Sequence, residues 1–173
     1  MRELKNIKFR GRTAYDFTWV YGDLMYDKFD SAYIHKPFFN ENRVISDTVG
    51  QFTGLYDKDG KEIYEGDIIE FYEIESYCIN PDCEPHLIGY GDRLVKHTCQ
   101  VEFAVGMFCV DLRGDDRIRP LLYCGLQEGD IEDLKDRVEN DDYFDTDEYE
   151  IDKSILGFKV VGNIFDNPDL DYM

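Results

Sequence analysis

Apolar and polar positions alternate along most of the chain, and a period of two predicts strands rather than helices. Four runs carry the pattern most strongly: Val49–Leu55, Asp67–Ile74, His97–Val105 and Met107–Leu112. In the second run Ile69 and Phe71 fall on one face and Ile68, Tyr72 and Ile74 on the other, so both faces are predicted to be covered. Weaker β patterns run through Leu4–Arg12, Phe17–Leu24, Ala32–His35, Leu121–Leu126 and Ser154–Phe165. Tyr26–Asn42 otherwise reads as a long loop anchored by Phe38 and Phe39. Helical spacing occurs once, at Ile131, Leu134 and Val138, with Asp130 as a suitable N-cap and acids in the first turn. Asn167-Pro168 offers the start of a terminal helical turn.

Turn chemistry marks the centre of the pattern. Asp57-Lys58-Asp59-Gly60 supplies side-chain acceptors for nearby N–H groups and a glycine for positive φ, and Glu65-Gly66-Asp67 repeats that chemistry. Asp57, Asp59 and Gly60 imitate the middle of a calcium loop. In that register Leu55 stands at the first ligand position and Gly66 where a bidentate acid is required, so the loop fails at both ends. A strand covered on both faces and flanked by tight turns fits a small, tightly curled barrel.

Three motifs give a further expectation. They are Ile7-Lys8-Phe9-Arg10-Gly11 with Trp19-Val20-Tyr21-Gly22-Asp23-Leu24, the central Thr48 to Asp67 stretch, and the closing Val161-Gly162-Asn163-Ile164-Phe165-Asp166-Asn167-Pro168. In that order they resemble the YopX family of phage and prophage proteins over most of the chain. The resemblance implies a mainly β fold with an SH3-like small β-barrel core, long loop insertions and one short helix. It brings no established activity and no catalytic residues. The chain is accordingly read as a single domain over 1–173, with a cysteine-containing loop insertion at about 73–97 and an acidic insertion at about 128–152, neither matching the family pattern.

Composition narrows the function. A formal net charge of −19 opposes direct binding to a nucleic-acid backbone, which requires cations to replace counterions. It favours solubility and attraction to basic partners. Aromatic content of 15%, with 13 Tyr and 12 Phe, supports a folded β-rich protein. Neither a signal-peptide core nor a membrane-length apolar run is visible, and five cysteines without a secretory signal read as reduced thiols in a host cytoplasm. Lys5, Lys8, Arg10 and Arg12 form the one basic cluster, read as a strand face that pairs with the chain's own acids.

The search for chemistry yields little. Phosphate-loop, nucleophile-elbow and His-Glu-x-x-His motifs are missing, and the many carboxylate pairs follow from the many carboxylates. Cys78, Cys83, His86, His97 and Cys99 could supply structural zinc ligands, but their spacing is loose and Cys99 sits in a strand phase. A metal-free surface loop is the preferred reading. Cys109 and Cys124 have no base nearby in the sequence and read as core residues. His35 is isolated, and Trp19 reads as a core residue. No cofactor is expected, and an enzymatic role is disfavoured without being settled. The candidate binding segment is Asp141, Asp142, Tyr143, Phe144, Asp145, Asp147, Glu148 and Tyr149, where aromatic anchors lie among steering charges. These features predict a non-enzymatic protein-binding module whose partner is a host or phage protein with a basic surface. They also allow a homo-oligomer. The alternative is an acidic nucleic-acid mimic that inhibits a host defence or transcription protein.

Overall fold

The computed structural model describes residues 7–35, 41–80, 89–112, 117–140, 144–145 and 150–170. The first half forms a six-stranded antiparallel sheet from β1 (Phe9–Arg12), β2 (Trp19–Tyr26), β3 (Ala32–His35), β4 (Asn42–Arg43), β5 (Gly50–Tyr56) and β6 (Glu62–Tyr64). Its strand order is β4-β3-β2-β1-β5-β6. A second sheet follows from β7 (Asp67–Cys78), β8 (Tyr90–Ala104), β9 (Met107–Leu112) and β10 (Arg117–Pro120). After the single helix α1 (Asp130–Asn140), β11 (Phe144–Asp145) and β12 (Lys159–Asn163) complete it. The order is β10-β9-β8-β7-β12, with β11 added parallel to β8.

The mainly β class therefore holds, but the described strands form two open sheets and do not close into the SH3-like barrel that the sequence suggested. Local alternation specifies strands; closure depends on which distant edges pair, and that is not written in any one run.

The covered faces of β7 explain the architecture. Ile69 and Phe71 join Cys99, Val101, Val110, Leu121, Cys124, Phe158 and Val160 in the main core. Tyr72 and Ile74, on the opposite face, pack with Leu94, Leu126, Leu134 and Ile155 in a second core under α1. A third cluster, Ala32, Ile34 and Val44, lies within the first sheet. At roughly 25 cal/mol per Å² of apolar surface, these clusters are the main favourable contribution to folding.

Outside 81–88, which lie beyond the described residues, the cysteine-containing insertion is mostly strand and not loop. β7 continues to Cys78 and β8 begins at Tyr90, in unbroken register from Ile68↔Gln100 to Cys78↔Tyr90. Charged residues disguised this arm, yet they pair across and beside it: Lys96 with Glu70 at 2.8 Å, Arg93 with Glu75 at 3.4 Å, and Arg119 with the buried Glu73. The acidic insertion is also partly structural, since Ile131 and Leu134 of α1, Phe144 and Ile151 all contribute to the second core. Leu121–Tyr123 forms a 3-10 turn where a strand was expected, because the preceding β10 supplies the pairing edge. The β pattern over Ser154–Phe165 contracts to β12, preceded by another 3-10 turn at Lys153–Ile155. The expected terminal helical turn is one hydrogen-bonded turn, from Leu170 N–H to the Asn167 carbonyl. The Asp130 carboxylate reaches back to accept from the Gln127 N–H at 2.6 Å instead of capping forward into α1. Ala32–His35 and Met107–Leu112 fall where the sequence placed them.

The two sheets are joined by Glu65-Gly66, between β6 and β7. Gly66 has φ +81°, donates its N–H to the Val101 carbonyl and accepts from the Ile164 N–H. A Cβ at the facing Gly50 would stand 2.5 Å from the Glu65 carbonyl oxygen, so the close approach needs glycine there.

Candidate functional site

Alternation places Lys8, Arg10 and Arg12 on one face of the first strand, and each meets a carboxylate and an aromatic ring. Lys8 pairs with Glu62 and lies 4.8 Å above the Phe52 ring. Arg10 pairs with Asp67 at 2.5 Å and stacks 4.8 Å from Trp19 and 5.1 Å from Tyr64. Arg12 pairs with Asp166 at 3.5 Å and lies 5.9 Å from both Phe17 and Trp19. Lys8, Arg10 and Arg12 of the basic cluster are thus spent on the chain's own acids, while Lys5 lies outside the described residues. The strand face is not solvated throughout, because Arg10 and Asp67 are buried.

These contacts bring the three sequence motifs together. Arg10 comes from the first, Asp67 from the central one and Asp166 from the last. A second Arg10 nitrogen, Nη2, donates to the Glu65 carbonyl at 3.0 Å, and the Asp67 carboxylate also accepts from the Tyr64 N–H at 2.8 Å. Trp19 donates from Nε1 to Asp166 at 2.7 Å, and its ring lies 5.9 Å from that of Phe165. Asn163 fixes the turn that presents Asp166, accepting from the N–H groups of Phe165 and Asp166. Sequence reasoning recovered each motif but not their convergence; matching charges on Arg10 and Asp67 were the available signal.

The electrostatics of this cluster are those of a fastening. Burial pushes the Asp67 carboxyl above its usual range, with the Arg10 charge working against it. Burial and the Glu62 carboxylate push the Tyr64 hydroxyl up, and that hydroxyl donates to Glu62 at 2.6 Å. Burial alone would raise Glu62 and Asp166. Hydrogen bonds from Lys8 and Tyr64 bring Glu62 below the ordinary carboxylate range, and those from Asn163 and Trp19 do the same for Asp166. The carboxylates and the phenol are held in bonds to their neighbours.

The segment nominated as a binding site divides. Asp141, Asp142, Tyr143, Asp147, Glu148 and Tyr149 lie outside the described residues. Phe144 and Asp145 form β11, beside Asp92 and Arg93 of β8. Phe144 packs into the second core, so one of the three aromatics read as partner anchors serves the chain's own fold.

Of the alternative zinc set, His97 and Cys99 lie far along the β7–β8 arm from Cys78. Cys99 faces Ile69 and His97 faces Phe71, nine and seven residues before Cys78 on β7. At about 3.3 Å per residue those spans exceed roughly 20 Å, far beyond a shared tetrahedral ion. Cys83 and His86 lie outside the described residues. Cys99 and Cys124 lie in the main core and Cys109 is buried as well, so all three are the core residues they were read to be. Burial raises the Cys109 thiol and, with Glu73 nearby, pushes the Cys124 thiol up to about 12, so neither is an activated nucleophile. Asp57, the first acid of the calcium-like turn, accepts from the N–H groups of Asp59, Lys61 and Val160.

Two clefts border the joined sheets. The larger, about 480 Å³, is lined by Tyr56, Leu122, Tyr123 and Phe158 among others. The smaller, about 260 Å³, lies beside Gly66 between Val49, Phe103, Ile164 and Phe165, with Asp47, Glu65 and Glu102 in its lining.

Comparison with known proteins agrees with the motif reading. The family described as YopX protein matches residues 8–170. The crystal structure of protein EF1440 from Enterococcus faecalis is similar at 21% identity, covering 94% of this chain and 96% of that one, with a TM-score of 0.43. Among curated proteins none matches.

Proposed function

The chain belongs to the YopX protein family, and on that premise we propose that it is a non-enzymatic protein-binding module, encoded by a phage or prophage and acting in the host cytoplasm on a partner with a basic surface. The observation that carries this reading is the division of charge. The net charge is −19, and the cations Lys8, Arg10, Arg12, Lys96, Arg119 and Arg137 each already sit on one of the chain's own carboxylates. These pairs are neutral, so the excess of −19 is carried by the other residues and favours a basic partner. No group of three metal-ligating side chains occurs among the described residues, and none of their helices is long and apolar enough to cross a membrane.

The test is retention of host proteins on the immobilised chain at low and high salt. Steered association with a basic partner gives retention at about 50 mM salt that falls steeply by about 500 mM, where the Debye length has shrunk several-fold. Retention that ignores salt contradicts the reading. Nucleic-acid mimicry is a second reading, favoured by the exposed acids Glu132, Asp133, Asp136 and Glu139 along α1. It requires in addition that the retained protein bind nucleic acid and be displaced by it.

A further inference from the structure

Charged residues make up 33% of the chain, so a long run without one marks a surface set apart. The three longest such runs are 48–56, 103–110 and 120–127. The first and third meet in the larger cleft, to which one gives Leu55 and Tyr56 and the other Leu122 and Tyr123, with Phe158 beside them. The second run is the hairpin of β8 and β9, closed by Val105-Gly106. Phe108 packs this hairpin against the main core, while Phe103, Val105 and Met107 are exposed.

Val105 is an unusual residue for its position. Its φ is +53° and that of Gly106 is +82°, a turn in which Asn-Gly or Asp-Gly is the ordinary pair. A β-branched side chain is strained in the left-handed region. At 84% exposure Val105 gains no burial within the fold to offset that strain. A strained, apolar residue at an exposed turn is accounted for by a contact made outside the chain. The larger cleft has the matching character. Its volume, about 480 Å³, is that of a binding pocket, and Tyr123 on its rim is 79% exposed. Its two charged residues are already engaged. Asp57 is buried and accepts the N–H groups of Asp59, Lys61 and Val160, and Lys58 Nζ donates to the Ser154 carbonyl at 2.6 Å.

Charge decides the occupant. At a net −19, two copies of the chain repel wherever their acids face each other, so copies can meet only on surfaces free of charge. The tip and the cleft are two such surfaces, one projecting and one hollow, and a basic partner would gain nothing there from its charge. Both are exposed, so neither covers the other within one copy. We infer that the hairpin tip of one copy, Val105 with Phe103 and Met107, docks in the cleft of a second copy, against Tyr56, Leu122 and Tyr123. This contact is separate from the acid-to-base contact proposed above and does not rest on it. Salt acts on the two with opposite sign: screening strengthens a contact between like-charged copies and weakens one with a basic partner.

The test is sedimentation velocity on the parent chain from about 5 to about 500 µM, at about 50 and about 500 mM salt. The sedimentation coefficient should rise with concentration, and the association constant should be at least about threefold larger at the higher salt. Val105→Asp at the tip and Tyr123→Asp in the cleft each put a charge at an exposed apolar position, and each should weaken association about tenfold. Mixed in equal amounts, the two variants should associate again, because each keeps the half that the other has lost. Val105→Asn separates the contact from the fold: asparagine suits the left-handed turn, so the melting temperature should rise while association weakens about tenfold. It also takes the place of Val105→Asp in the mixture if that variant folds poorly. A parent that stays monomeric throughout, association that weakens with salt, a mixture no more associated than its components, or Val105→Asn associating as the parent does overturns the contact.

Discussion

The seam between the sheets and the flank around α1 use the same residue types to opposite ends. At the seam, charge is removed from water: Arg10 is 5% exposed and Asp67 1%, each in contact with the other and with rings or backbone groups around them. On the flank, Glu132, Asp133, Lys135, Asp136 and Glu139 are exposed, and α1 is held by Leu134 with partial burial of Ile131. A buried pair fixes geometry because either partner left alone is a desolvated charge. An exposed acid is screened, contributes little to folding and remains available to another molecule. The chain's excess negative charge is therefore informative about function where it is exposed and about structure where it is buried.

The contrast breaks first at Arg10. Arg10→Ala or Asp67→Ala strands the other charge and should destabilise by about 3–5 kcal/mol, while Arg10→Met with Asp67→Leu together should cost less than either single change. Chemical denaturation of the three variants measures this. If the single changes cost under about 1 kcal/mol, the seam is not holding the sheets.

Next in size is Phe144→Ala, which should cost about 1–3 kcal/mol, less than truncation of a fully buried ring because Phe144 is half-buried. Thermal melting shows it. An unchanged melting temperature would return Phe144 to the role of a free partner anchor.

Acid should loosen the seam in a defined window. Glu62 and Asp166 are held below the ordinary range when folded, so their contribution is complete above the unfolded value of about 4 and is lost as pH falls through their folded values. Asp67 has the opposite sign: its raised folded value means that ionising it costs stability, which protonation relieves. Trp19 is the chain's single tryptophan and bonds Asp166 directly, so its fluorescence reports the release. The signal should hold down to about pH 4 and change below it; a transition between about pH 5 and 7 contradicts this assignment. Smallest of all, Glu132→Gln with Glu139→Gln on α1 should shift stability by no more than about 0.5 kcal/mol, in the favourable direction if self-repulsion matters.

Sequence reading reached the strands whose partners lie nearby and whose alternation is uninterrupted, as in Met107–Leu112 and Ala32–His35. It stopped β7 short at Ile74 because Glu75 and Ser76 look like loop residues until Arg93 is seen beside Glu75. It took Phe144 for a surface anchor because the core it enters is built from Leu94, Leu126 and Leu134, residues distant in sequence. The three motifs were visible individually; their meeting at Arg10, Asp67 and Asp166 required the register of two sheets. Barrel closure failed for the same reason, being a property of edge pairing.

Native-state hydrogen exchange compares the two regions in one experiment and tests the division between them most directly. The amides of Tyr64, Gly66 and Ile164, bonded to Asp67, Val101 and Gly66 at the seam, should exchange only through global unfolding. The amides of α1 should exchange at lower free energy through local opening. Exchange at the seam as fast as in α1, with β7–β9 still protected, would show that the sheets separate on their own and that the buried pairs do not unite them.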